Sequence, residues 1–151
     1  MNASGATQAI DILLADDDPD DRLFAREALE ESLIANRLHC VEDGEELLEF
    51  LRREGRYSPP AEVPRPGLIL LDLNMPRVDG RAALAQIKSD PELRRIPVVV
   101  MTTSRAEEDV LRSYDLGVNS FISKPVTFGG LVEVMRNLGH YWLQIVSLPS
   151  Q

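Results

Sequence analysis

Cysteine is almost absent: Cys40 is the single one in 151 residues, so no intrachain disulfide can form. With Leu38 and Val41 beside it, Cys40 is expected to be a small buried side chain in a reducing compartment. Basic charge is also scarce. Sixteen Lys and Arg against 25 Asp and Glu leave a formal charge of −9, which opposes direct binding to nucleic acid, because that affinity comes largely from cations neutralising phosphates. Long apolar runs are missing, since none approaches the ~18 residues needed to span a bilayer. The first ten residues lack the basic start and apolar stretch of a signal peptide. A cytoplasmic location without membrane contact is expected. No GxxxxGK pattern followed by Ser or Thr occurs, which disfavours a P-loop nucleotidase. Internal repeats and low-complexity tracts are lacking as well.

What is present suits one domain. The length falls near the single-domain prior, and 44% hydrophobic residues are ample for a continuous core. Residues 1–9 are small and polar and read as a flexible lead-in. From Ile10 onward short apolar runs alternate with segments of helical period: IDILLA, 19–35, RLHCV, 43–54, GLILL, 79–89, PVVVM, 105–116, SFIS and 127–146. Five strands alternating with five helices predict an α/β fold on a mainly parallel sheet. GLILL and PVVVM read as strands buried on both faces, which requires helices on both sides of the sheet. Asp18-Pro19 suits an N-cap with proline at the first helical position. Phe24, Ala25, Ala28 and Leu29 then share the face expected to cover the sheet, followed by Leu47, Leu48 and Leu51 in the second helix and Leu84 and Ile87 in the third. The segment 55–67 holds four prolines, so it cannot continue a helix or join a central strand. It reads as a surface loop or a partner-contact insert. Residues 139–151 are too few for a second domain and extend the last helix into a tail.

In open α/β sheets ligands bind beyond the carboxyl ends of the strands. Asp16 and Asp17 end the first run, Asp72 the third and Thr102 the fourth, and Lys124 follows the fifth. Asp18, Asp20 and Asp21 are read as cap and turn residues. Asp16, Asp17 and Asp72, brought together, would repel one another unless a cation intervened. Mg²⁺ typically takes one or two carboxylates and completes its shell with waters and phosphate oxygens, so a sparse acidic pocket points to metal plus phosphoryl group. A carboxylate can itself attack phosphorus to give an acyl phosphate. Asp72 is the candidate nucleophile, directly after LILL and before the turn Asn74-Met75-Pro76, whose backbone could lend a carbonyl to the metal. Lys124 and the Thr102 hydroxyl would share the charge neutralisation that phosphoryl transfer demands.

The segments LLADDDPDD, LILLDLNMPRVDG, PVVVMTTS and FISKP resemble, in order and spacing, the four signatures of response-regulator receiver domains over residues 10–138. The resemblance implies a flavodoxin-like doubly wound sheet in the order 2-1-3-4-5 flanked by five helices. It further implies a phosphoacceptor at Asp72 and a metal pair at Asp16 and Asp17, with a metal-binding backbone carbonyl at Asn74. The switch hydroxyl would be Thr102, the phosphate-binding lysine Lys124 and the aromatic switch Phe121. Lys124-Pro125 matches a position where the family commonly has a cis bond. The DDPDD start, the insert at 55–67, the MTTS segment and the tail NLGHYWLQIVSLP look like the small single-domain regulators that partner bacterial phytochrome histidine kinases. Thr103 is bulkier than the residue frequent after the switch threonine, and Phe121 lacks the hydroxyl of tyrosine; both bear on lifetime and switching.

The expected function is that of a single-domain response regulator, phosphorylated by a sensor histidine kinase with Mg²⁺ as cofactor. It would signal by a conformational or dimer change and catalyse its own phosphorylation and dephosphorylation without being a dedicated turnover enzyme. Two alternatives stand beside it. An aspartyl-phosphate phosphohydrolase usually needs a second acid two residues after the nucleophile, where this chain has Asn74. A receiver fold used only as an interaction module has no need of Asp16, Asp17, Asp72, Thr102 and Lys124 together. A homodimer is expected on the fourth helix, the fifth strand and the last helix, where Leu131, Val134, Leu138, Trp142 and Ile145 fall close to one stripe; helical spacing alone equally allows Trp142 and Ile145 to fold back on their own sheet.

Overall fold

A computed structural model describes residues 10–31, 36–72, 80–102, 120–123, 127 and 129–137. Five strands form one parallel sheet: β1 (Ile10–Ala15), β2 (Asn36–Val41), β3 (Leu68–Leu71), β4 (Val98–Thr102) and β5 (Ser120–Ser123), in the order β2-β1-β3-β4-β5. Helices α1 (Pro19–Glu31), α2 (Gly44–Arg52) and α3 (Gly80–Ser89) follow the first three strands, and a further helix occupies 129–137. The expected helix at 105–116 lies outside the described residues.

Side chains alternate across a strand, and the sheet sorts them cleanly. Leu13, Ala15, Ile69, Leu71, Val98 and Val100 face α2 and α3, meeting Leu47, Leu48, Leu51, Ala83, Leu84 and Ile87 in one buried cluster. Ile12, Leu14, Leu68, Leu70 and Val99 face the other way, onto Ala25, Ala28 and Leu29 of α1 and Leu131 and Met135 of the helix at 129–137. Both faces of β3 and β4 are therefore covered, as the apolar runs LILL and VVV predict.

Two expectations about burial need correction. Phe24 is 42% exposed, beside Leu23 at 53%, and does not join the sheet-covering face of α1. At 100° per residue Phe24 sits roughly 90° from the centre of the stripe made by Ala25, Ala28 and Leu29, on the flank of the helix. Cys40 is half-buried, not enclosed, because β2 is an edge strand. The Arg26 guanidinium comes within 3.7 Å of its sulfur; burial pushes the thiol pKa up against the pull of Arg26 and Arg22.

α2 is closed at both ends by its own sequence. Asp43 Oδ1 accepts from the Glu46 N–H at 2.7 Å, and Glu46 Oε1 accepts from the Glu42 N–H at 2.9 Å, a reciprocal arrangement of the capping-box kind. Arg53, left-handed at φ 56°, ends the helix. The proline-rich connection that follows is anchored. Its short 3₁₀ turn, Gly55–Tyr57, places the Tyr57 ring edge-on to Phe50 at 5.0 Å between centroids, and the Tyr57 hydroxyl donates to Glu46 Oε2. Tyr57 and Val63 pack against the α2–α3 side of the core. Among the described residues no helix is long and apolar enough to cross a membrane.

Candidate metal centre

Adjacent central strands bring the acidic residues together. Register pairs Ala15 with Leu71, and the Asp72 N–H donates to the Ala15 carbonyl at 3.0 Å, so the two chains leave the sheet side by side. On the other flank the Asp16 N–H donates to the Val41 carbonyl at 3.1 Å. Asp16 is 2% exposed and Asp72 8%, whereas Asp17 is exposed. One carboxylate oxygen from each of Asp16, Asp17 and Asp72 lies within 4.8 Å of the others.

Buried carboxylates have lost most of their water, and three anions this close repel. Their oxygens are hard donors of the kind that hold a hard divalent cation, so the residues present fit such an ion. The neighbouring acids have other duties. Asp18 Oδ1 accepts from the Asp20 N–H at 2.8 Å and the Asp21 N–H at 3.4 Å, which makes Asp18 the cap of α1. Asp20 and Asp21 supply negative charge to its first turn, where the helix dipole favours it.

Of the other expected site residues, Thr102 ends β4 and pairs with Ser123 at the end of β5. Leu71 pairs with Val100, so Thr102 reaches the same edge of the sheet as Asp72. Phe121 lies within β5 opposite Val100; for Thr102 and Phe121 the backbone alone is described. Asn74, Thr103, Lys124 and Pro125 lie outside the described residues. One contributor was not anticipated from the sequence: Arg22 Nη1 donates to the Asp16 carbonyl oxygen at 2.8 Å. The available signal was a lone cation at the end of the acidic run DDDPDDR, without any cue to its target.

The family model for the response regulator receiver domain matches residues 12–136. The chain belongs to that family. The receiver is 43% identical over 139 residues to response regulator Rcp1 of Synechocystis sp., covering 92% of each chain. It is 38% identical to the probable methanogenesis regulatory protein FilR2 of Methanothrix harundinacea, covering 87% of this chain and 83% of the relative. Its structure superposes on the phosphorylated cyanobacterial phytochrome response regulator RcpA with a TM-score of 0.84 at 43% identity, covering 94% of this receiver and 99% of RcpA. The Mn²⁺-bound form of Rcp1 matches with a TM-score of 0.82 at 43% identity, covering 93% and 99%. Receiver domains bind a divalent metal, and in this one Asp16, Asp17 and Asp72 form the acidic cluster suited to it.

Proposed function

We propose that this receiver is a response regulator of a two-component phosphorelay, accepting a phosphoryl group from a sensor histidine kinase on Asp72. The observation that carries the reading is the position of Asp72: buried, at the end of a central strand, with Asp16 and Asp17 oxygens within 4.8 Å. Asp16, Asp17, Asp72 and the Asn74 carbonyl would hold Mg²⁺. A Mg²⁺ ion held there would supply positive charge to offset that of the phosphoryl oxygens.

The protein's own groups do the rest. A carboxylate oxygen of Asp72 attacks phosphorus while the phosphorus–nitrogen bond to the kinase histidine breaks, and the electron pair leaves with the imidazole. Lys124 supplies a positive charge for the transferred group and the Thr102 hydroxyl a hydrogen bond. Those contacts favour one of two arrangements of Thr102 and Phe121, which is the switch. The receiver catalyses its own phosphorylation and dephosphorylation and is not a dedicated turnover enzyme.

Residues 1–9 serve as a lead-in, 10–138 as the receiver and 139–151 as an extension of the last helix. We assign it a cytoplasmic place and a phytochrome-type kinase, a partnership supported by its 43% identity to RcpA, described as a phytochrome response regulator. Output runs through a homodimer on segment 105–116, where the sequence predicts the fourth helix, together with β5 and the last helix. Intact-mass measurement after incubation with acetyl phosphate and Mg²⁺ tests the phosphoacceptor. The wild type should gain one phosphoryl group and Asp72→Asn none; equal labelling of the two would defeat the assignment.

A further inference from the structure

Arg22 stands outside the set of metal donors, yet it grips the chain that carries them. From the first turn of α1 its half-buried guanidinium donates to the Asp16 carbonyl oxygen at 2.8 Å. That carbonyl belongs to the planar peptide group joining Asp16 to Asp17. Fixing one corner of the plane leaves little but the φ angle and side-chain torsions of Asp17 to aim its carboxylate.

The other two carboxylates are held by different means. Asp16 is buried and its Oδ1 accepts from the Asp18 N–H at 3.0 Å. Asp72 is buried with its N–H bonded to the Ala15 carbonyl. Asp17 is exposed, so its aim depends on the backbone beneath it.

We propose that Arg22 is a positioning residue for the divalent-cation site, clamping the Asp16–Asp17 peptide so that the exposed Asp17 carboxylate stays within reach of Asp16 and Asp72. The inference rests on reading this acidic cluster as the metal centre. Arg22 is also a cation beside the site, and as a bare charge it would repel a divalent ion. The two roles have opposite signs. Loss of a clamp weakens metal binding, whereas loss of a repelling charge tightens it, and the second effect fades as salt screens the charge. A charge-assisted hydrogen bond belongs to the stronger class, so the clamp dominates.

The test is isothermal titration of EDTA-stripped protein with MgCl₂ at low and at high KCl, on the wild type, Arg22→Met and Arg22→Lys. Methionine keeps an apolar stem without a donor; lysine keeps the charge and a donor in a different geometry. Arg22→Met should bind Mg²⁺ about tenfold more weakly at both salt levels, with Arg22→Lys in between. The Mg²⁺ concentration that half-saturates labelling by acetyl phosphate should rise in parallel, while the rate at saturating Mg²⁺ stays near that of the wild type. Thermal melts without Mg²⁺ check that each variant is folded, and if Arg22→Met is not, the ordering of Arg22→Lys against wild type carries the test. A folded Arg22→Met, or failing that an Arg22→Lys, that binds Mg²⁺ as tightly as the wild type or tighter would overturn the clamp and leave the metal centre standing. A wild type that binds no Mg²⁺ would overturn both.

Discussion

At the scale of single residues, burial separates acids that look alike in the sequence. Asp17 is an exposed member of a close anionic set, so its removal should leave packing intact and relieve repulsion in the metal-free protein. Asp17→Ala is expected to weaken Mg²⁺ binding by at least about tenfold, the low end of what is lost when even a group behind a ligand is removed, with an unchanged or slightly raised melting temperature in EDTA. Unchanged affinity by titration would reduce Asp17 to a turn residue. Asp11 and Asp90 contribute to the acid limb of stability. Burial alone would raise the Asp11 carboxyl, but hydrogen bonds from Arg37 and His39 outweigh it and hold it below its usual range. The Leu93 and Glu92 N–H groups do the same for Asp90. A carboxyl lowered on folding adds stability that is fully present above its unfolded pKa of about 3.9 and is lost as pH falls through the folded value. Asp11→Asn with Asp90→Asn should therefore flatten the loss of stability below about pH 4 in urea titrations. A limb as steep as that of the wild type would contradict this.

At the scale of elements, narrow apolar stripes seat α1, α2 and α3 on the sheet, and side-chain caps at Asp18 and Asp43 begin α1 and α2. α2 begins at Asp43 because the carboxylate satisfies the Glu46 N–H, and Asp43→Ala should cost about 1–2 kcal/mol in denaturant unfolding. α3 has Ala83, Leu84 and Ile87 fully buried on its inner face. Leu84→Ala should cost about 2–5 kcal/mol, the range for cavities left in packed cores. A smaller loss at Leu84 than at Asp43 would mean that the α2–α3 side of the core collapses around the gap. The 55–67 connection shows why composition alone misleads. Four prolines do exclude it from the sheet, but Tyr57 carries an aromatic ring to Phe50 and a hydroxyl to Glu46. That hydrogen bond and burial both push the Tyr57 pKa up, burial most.

At the scale of the whole molecule, two clusters on opposite faces of one sheet make the acidic cluster of Asp16, Asp17 and Asp72 an edge feature supported from both sides. In the helix at 129–137, Leu131 and Met135 are buried and Val134 is half-buried. Met135, absent from the expected stripe, is the more enclosed of the two. Leu138, Trp142 and Ile145 lie outside the described residues, and the proposed dimer places them at its interface. Sedimentation of the wild type and Trp142→Ala, each with and without phosphorylation, should show a dimer in the wild type that the variant loses. A wild type monomeric at every accessible concentration in both states would eliminate that assembly.

The sequence by itself determined the strands, the starts of α1, α2 and α3 to within a residue, and the acids at the strand ends, because periods of 2 and 3.6 residues are local properties of the chain. Cap chemistry at Asp18 and the double-faced burial of LILL and VVV were legible for the same reason. The strand order came only with the family resemblance, since periodicity does not say which strands lie side by side. Tertiary structure decided the rest. It set β1 against β3 and so brought Asp16 and Asp17 to Asp72. It left Phe24 on the flank of α1 and Cys40 half-covered at an edge, because coverage depends on how wide a neighbour is and not on how apolar a residue is. It turned Arg22 onto the Asp16 carbonyl, since no pattern of residue types records which backbone oxygen a flexible guanidinium will find.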